Sequence, residues 1–172
     1  MLVKPVIVRP FAAADLLGAA RALVEVHETD GYPVEGVDDP QAWLRSEQVL
    51  AAWVAEADGV IVGHVAIMRP DGADAASLWI RQNGEDEAHV AVLARLFVLQ
   101  AARGRATGRR LMAAAMGHAL ANNLRLVLDV MAKDVAAMRL YERLGWRKIG
   151  ETTHRFGVGQ TVPSVCYVAP NA

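Results

Sequence analysis

The chain has 172 residues and a mass of 18.5 kDa, which suits a single domain over residues 1–172. Hydrophobic residues make up 53% and mean hydropathy is +0.20, enough apolar material for a real core and incompatible with general disorder. The net charge of −1 argues against a nonspecific polyanion binder, and so against a nucleic-acid partner, yet it hides a division: residues 1–90 hold 6 Lys+Arg and 15 Asp+Glu, net −9, whereas residues 91–172 hold 12 and 4, net +8.

Val6-Ile7-Val8 reads as a first strand ended by Pro10. Leu16, Ala20, Leu23, Val24 and His27 recur at helical spacing, which predicts a helix over about 13–28 with Asp15 in its first turn. Thr29 to Pro33 stops it, an acidic loop runs to Asp39, and a short helix follows Pro40. Residues 50–56 and 60–68 read as two strands around Asp58-Gly59, a hairpin signal. Asp71–Asp74 is expected as loop and Ser77–Gln82 as a short helical turn. Val90 to Val98 is an almost continuous apolar run, the mark of a central strand. Then come a helix over about 108–122, a strand over 124–130, a helix over 134–144 stopped by Gly145, a strand from Trp146 running as far as Phe156, and a last strand over 165–168.

Cys166 is the only cysteine, so no intrachain disulfide forms and no cysteine zinc cluster exists. Residues 1–10 lack a long apolar stretch and no apolar run reaches membrane-spanning length. The expectation is a soluble, cytoplasmic protein with no membrane partner.

Two segments carry chemistry. Arg103-Gly104-Arg105-Ala106-Thr107-Gly108 joins the buried strand to a helix. Small residues let backbone N–H groups converge, and a helix N-terminus adds positive potential, so the loop suits a pyrophosphate or similar dianion. Arg103, Arg105, Arg109 and Arg110 add charge; the alternative is a Gly-rich turn with surface arginines. The spacing fits neither the P-loop nor the dinucleotide fingerprint. In the second segment, Asp134 to Trp146, Ala137, Leu140, Tyr141 and Leu144 share one helical face, and core packing is the plain reading.

Together, the Arg-Gly-x-x-x-Gly loop after an apolar strand and the x-x-Ala-x-x-Leu-Tyr-Glu-x-x-Gly-Trp segment resemble the GNAT superfamily of acyl-CoA-dependent N-acetyltransferases. The family's Gln/Arg-x-x-Gly-x-Gly/Ala pattern maps onto Arg103, Ala106 and Gly108. The resemblance implies an α/β fold, an α+β mixed sheet of six or seven strands flanked by helices, with splayed central strands forming the acyl-CoA slot. Two residues depart from the pattern. Ala106 replaces the middle glycine, and its methyl is tolerable only where φ stays negative and no phosphate presses on Cβ. Asp134 stands where the family often has Asn; it either meets the cofactor differently or caps the helix.

By this resemblance the cosubstrate is acetyl-CoA and no metal is implied. The backbone of Leu96, Phe97 and Val98 would pair with the pantetheine arm, and Arg103, Gly104, Arg105, Ala106, Thr107, Gly108 and Arg109 would hold the pyrophosphate, with Asp134 nearby. A main-chain N–H near Phe97 or Val98 would stabilise the thioester oxyanion. Tyr141, matching the family tyrosine, would be the general acid for the leaving thiolate. The general base is open: Glu87, His89, His64 and Asp129 are candidates, as are a water chain and an already neutral amine.

Glu25, Glu28, Asp30, Glu35, Asp38 and Asp39 cluster where the family places its acceptor, as an acidic rim for a cationic amine or as a solvated charged face. Trp43, Trp53 and Trp79 either pack or line that pocket, while Met112, Met116, Met138 and Cys166 read as core. The leading function is acetylation of a primary amine on a small molecule. A protein N-terminus or lysine side chain is the alternative acceptor, and a non-catalytic acyl-CoA-binding regulatory module the alternative class. The oligomeric state is open, a homodimer included.

Overall fold

The computed structural model describes residues 5–33 and 36–171. In chain order the elements are β1 (Val6–Pro10), α1 (Leu16–Asp30), α2 (Pro40–Leu44), β2 (Val49–Ala57), β3 (Val60–Met68), α3 (Asp74–Asn83), β4 (Val90–Val98), α4 (Thr107–Ala121), β5 (Arg125–Met131), α5 (Val135–Arg143), β6 (Arg147–Phe156) and β7 (Gln160–Val168), with short 3₁₀ turns at Ala13–Asp15, Glu87–His89 and Gln100–Ala102. The hydrogen-bonded strand order is β1-β2-β3-β4-β5-β7-β6, a mixed seven-stranded sheet as the α/β expectation required. Only the β4–β5 pair is parallel among the registers described, and its ladder spans three pairs, Val90↔Arg125 to Val92↔Val127. No described helix is long and apolar enough to cross a membrane.

The chain divides into two compact units, Met1–Ile67 with Arg95–Ala115, and Met68–Ala94 with Met116–Ala172. In the first, β1 pairs antiparallel with β2 from Val6↔Ala57 to Pro10↔Trp53. Ala19, Ala22, Leu23 and Val26 recur along one face of α1 and bury against Leu44, Val54, Ile61 and Phe97. Gly18 lets α1 lie close to the sheet, since a Cβ there would come within 3.0 Å of Ile61 Cγ1. Asp15 does more than complement the helix dipole: it accepts the Ala12 N–H at 2.7 Å and pairs with both terminal nitrogens of Arg9. Gly31, at φ 71°, ends α1 by donating its N–H to His27 O. Asp58 and Gly59 both take positive φ, 52° and 79°, as the two-residue turn between β2 and β3 needs.

In the second unit the helical turn expected at Ser77–Gln82 is a full ten-residue helix, which begins at Asp74, the last residue of the expected loop. Ala75, Ala76 and Trp79 are its buried face, packed with Val90, Val92, Val127, Cys166 and Val168. Paired alanines give a weak periodic signal, so only the larger residues from Ser77 onward had read as helical.

The last strand is likewise longer than the 165–168 expected: it begins at Gln160 and carries Pro163 within it. The β5–β7 register ends at Met131↔Ser164, while β6 continues to pair with β7 out to Phe156↔Gln160. Ala132 N donates to Pro163 O, so the carbonyl of Pro163 faces the β5 side. Its nitrogen faces the same side, where no ladder bond is needed, and proline is tolerated there.

Candidate active site

The 103–108 loop begins α4 at Thr107, one residue ahead of the expected start. Thr107 is buried, and its hydroxyl donates to Ala102 O at 3.0 Å, which closes the turn. Gly104 has φ 79° and Ala106 φ 59°, so Ala106 occupies the left-handed region that a negative φ would have spared it. Ala106 is exposed, and its positive φ places the strain in the backbone. Alternating left-handed residues ahead of a helix turn successive N–H groups toward one point, a geometry suited to an anion.

The four arginines do not share one role. Arg105 and Arg109 are exposed. Arg110 Nη1 donates to Val6 O on β1. Arg103 reaches back along β4, donating Nε and Nη2 to Val98 O at 3.2 and 3.0 Å, and forms an ion pair with Asp30 at the end of α1. The Val98 carbonyl thus already accepts from a side chain, though a carbonyl oxygen has a second lone pair.

Before the loop, β4 carries an irregularity. Arg95 has φ 58° in mid-strand, which a residue with a Cβ rarely adopts. Its guanidinium lies 4.4 Å from the Trp43 ring centroid, and Nη1 donates to Trp43 O. Trp43 also meets Tyr32 edge-on at 6.2 Å and Phe97 at 6.4 Å. Trp43 thus packs the surface beside the α1–α2 segment, whereas Trp53 and Trp79 are buried. On the sheet side, Gly63 admits the Phe97 main chain: a Cβ at Gly63 would stand 3.2 Å from Phe97 O.

Tyr141 belongs to the second unit. It is 7% exposed on the inner face of α5, against Trp146 at 6.1 Å and Tyr167 at 6.0 Å. Burial pushes its phenol pKa well up, with the nearby charges of Asp134 and Tyr167 adding to the shift. Tyr141 is therefore a phenol, never a phenolate, at working pH. Tyr167 donates to Glu142 Oε1 at 3.0 Å. Asp134 stands at the N-cap of α5, where its carbonyl accepts the Met138 N–H and its side chain makes no cap bond.

The base candidates separate clearly. Glu87 and His89 are exposed on the 3₁₀ turn before β4. Asp129 accepts from Cys166 Sγ at 3.3 Å, and loss of hydration, helped by the Asp74 charge, raises its pKa. Cys166 is fully buried and its thiol is pushed up to about 12, chiefly by burial, so it is the inert core residue expected. His64 is 1% exposed; burial lowers its pKa to about 4, and its Nδ1 lies 2.9 Å from Arg95 O.

The acidic rim is partly committed to structure. Asp30 pairs with Arg103, and Asp39 caps α2 by accepting the Ala42 N–H at 3.0 Å. Asp38 is exposed, and Glu35 lies outside the described residues. Glu25 and Glu28 line a cleft of about 640 Å³ along α1, with Asp15, Arg21 and Glu56.

What the sequence reading missed is the link from His64 through Arg95 to Trp43. The available signal was Arg95 itself, the one charged residue inside the Val90–Val98 run.

The sequence pattern of the acetyltransferase (GNAT) family matches residues 18–146. N-acetylaspartate synthetases of Rattus norvegicus and Mus musculus are 34% identical over 114 residues, which cover 64% of this chain and 32% of theirs. The chain thus spans about a third of the length of the curated relatives it matches. Many solved structures share its fold. The putative acetyltransferase yncA of Salmonella typhimurium, with its cofactor acetyl-CoA, gives a TM-score of 0.72 at 16% identity over 98% of this chain and 95% of that one. A ribosomal-protein-alanine N-acetyltransferase of Brucella melitensis gives 0.71 at 18% identity over 94% and 98%.

Proposed function

The chain belongs to the acetyltransferase (GNAT) family; from that premise we propose that it is an acetyl-CoA-dependent N-acetyltransferase whose acceptor is the primary amine of a small molecule. The packing of Trp43 carries this reading. Tyr32, Arg95 and Phe97 pack against its ring, which favours a confined pocket beside the α1–α2 segment over the open groove that a peptide acceptor would need. The name of the curated relatives points the same way, since N-acetylaspartate is an acetylated small amine.

In this proposal each residue has a defined task. The backbone of Leu96, Phe97 and Val98 receives the pantetheine arm, with a main-chain N–H at Phe97 or Val98 stabilising the oxyanion. The loop Arg103, Gly104, Arg105, Ala106, Thr107, Gly108 and Arg109 binds the pyrophosphate, and Asp134 lies beside the cosubstrate. Supporting this, Gly104 and Ala106 have the left-handed geometry that gathers N–H donors. Acetyl-CoA supplies an activated thioester, and the amine nitrogen must be neutral to attack it. Tyr141 then acts as the general acid: the C–S bond breaks as its proton passes to the departing sulfur and the proton of the attacking nitrogen replaces it, so no free phenolate forms. A thiolate with a pKa near ~8.5 needs only modest help from a phenol near or above ~10.

A thiol-release screen with acetyl-CoA against amino acids, polyamines, aminoglycosides and peptides tests the acceptor. Turnover is expected with a free small amine. Turnover confined to peptides would overturn the reading.

A further inference from the structure

We propose that His64 is a positioning residue for acetyl-CoA: by donating Nδ1–H to the Arg95 carbonyl it holds the irregular turn of β4, and with it the main chain of Leu96–Val98 that receives the cosubstrate. This rests on the reading of β4 in the preceding subsection.

Arg95 takes φ 58°, a conformation that a residue with a Cβ adopts only where its surroundings impose it. Three contacts do so. His64 Nδ1 lies 2.9 Å from Arg95 O, so a side chain takes this carbonyl. Two residues further on, the His64 ring stacks on Phe97, with centroids 5.2 Å apart and planes at 17°. One imidazole therefore grips β4 on both sides of Leu96. Beyond the strand, the Arg95 side chain is anchored on Trp43 through its ring and its carbonyl.

The ring is itself fixed. Phe11 meets it edge-on at 6.0 Å and 89°, and the residue is 1% exposed. A carbonyl partner at Nδ1 requires the proton there, which leaves Nε2 as a bare acceptor. Nε2 is buried without a hydrogen-bond partner among the described residues. For packing alone, phenylalanine or leucine would fill this place without burying an orphan nitrogen. The histidine is explained by what Nδ1 does.

The test uses the full chain with His64→Asn, His64→Gln and His64→Leu. The amide nitrogen of Asn sits where Nδ1 does, whereas that of Gln sits further out and Leu has no donor. Amide hydrogen exchange over 95–98 with and without acetyl-CoA is read beside steady-state kinetics. Wild type should show protection of this segment by acetyl-CoA. His64→Leu and His64→Gln should lose that protection and raise the KM for acetyl-CoA at least tenfold, with the acceptor KM within twofold. His64→Asn should keep the protection and hold the KM within threefold. If His64→Leu does not fold, the Asn and Gln pair carries the comparison. Equal kinetics in Asn and Gln variants would overturn the proposal. Absence of protection in wild type would instead overturn the reading of β4, and the role of His64 with it.

Discussion

Asp15 holds Arg9 by both carboxylate oxygens, at 2.7 and 2.8 Å from the two terminal guanidinium nitrogens. The same carboxylate accepts the Ala12 N–H, so one side chain joins the end of β1 to the start of α1. Asp15 is 8% exposed, and its hydrogen bonds with Arg9 hold its pKa below the usual carboxylate value. Asp15→Ala should therefore cost about 2 kcal/mol in urea denaturation at pH 7. The sign with pH follows from the depressed pKa. The contribution is complete above the ordinary carboxylate value near ~3.9 and falls away as pH drops below it. Wild type and Asp15→Ala should converge in stability under acid.

Burial acts in the opposite direction on His64. Its pKa falls from 6.5 to about 4, since the charged ring would lose its hydration. The native state thus binds a proton later than the unfolded chain. Stability should be complete above pH 6.5 and decline as pH falls through 4, by about 3 kcal/mol in all. His64→Asn should flatten that part of the stability-against-pH curve, measured by urea midpoints from pH 7 to 4.

Tyr141→Phe should lower kcat about a hundredfold and leave the KM for acetyl-CoA within a factor of about two. Because the phenol pKa is raised, kcat of the wild type should show no fall from phenol ionisation up to pH 10. Unchanged turnover in the Phe variant, in a thiol-release assay, would remove Tyr141 from proton transfer.

Ala106 sets a balance between two backbone effects. Left-handed geometry costs a residue with a Cβ about 1–2 kcal/mol, whereas glycine lowers stability by about 0.4–1 kcal/mol through the freedom of the unfolded chain. Ala106→Gly should thus come out level with wild type or up to about 1.6 kcal/mol more stable. Ala106→Val, β-branched at φ 59°, should lose more than about 1 kcal/mol. Thermal midpoints at saturating and zero acetyl-CoA would show whether the same order holds for the loaded form.

Asp39 separates charge from capping. Asp39→Ala should cost about 1 kcal/mol by removing the cap of α2, while Asp39→Asn should be nearly silent in stability. If the acidic rim attracts a cationic acceptor, Asp38→Asn with Asp39→Asn should raise the acceptor KM with no loss of stability. An unchanged KM would assign both to solvent.

The strands and helices were legible wherever one period ran long enough. β3 and β4 match their expected bounds at both ends, since each is a sustained apolar run closed by turn residues. α3 and β7 were too short in the reading for local reasons. The alanines at the start of α3 carry little periodicity, and the proline in β7 is harmless only because β5 has already ended. The loop residues were legible as a motif, but their division of labour was not. Nothing near Arg103 in sequence announces Asp30, 73 residues away, and nothing near Arg110 announces Val6. The tie between His64 and Arg95 is equally non-local, a side chain of one strand on the main chain of its neighbour.

Pro163 has a consequence for how the molecule meets other copies of itself. Beyond Ser164, β7 has β6 on one side and no registered β5 residue on the other. Such a rim invites an intruding chain to continue the ladder. Pro163 presents no N–H to that rim, and its carbonyl is already taken by Ala132. Pro163 therefore works as the strand's gatekeeper against edge-to-edge aggregation.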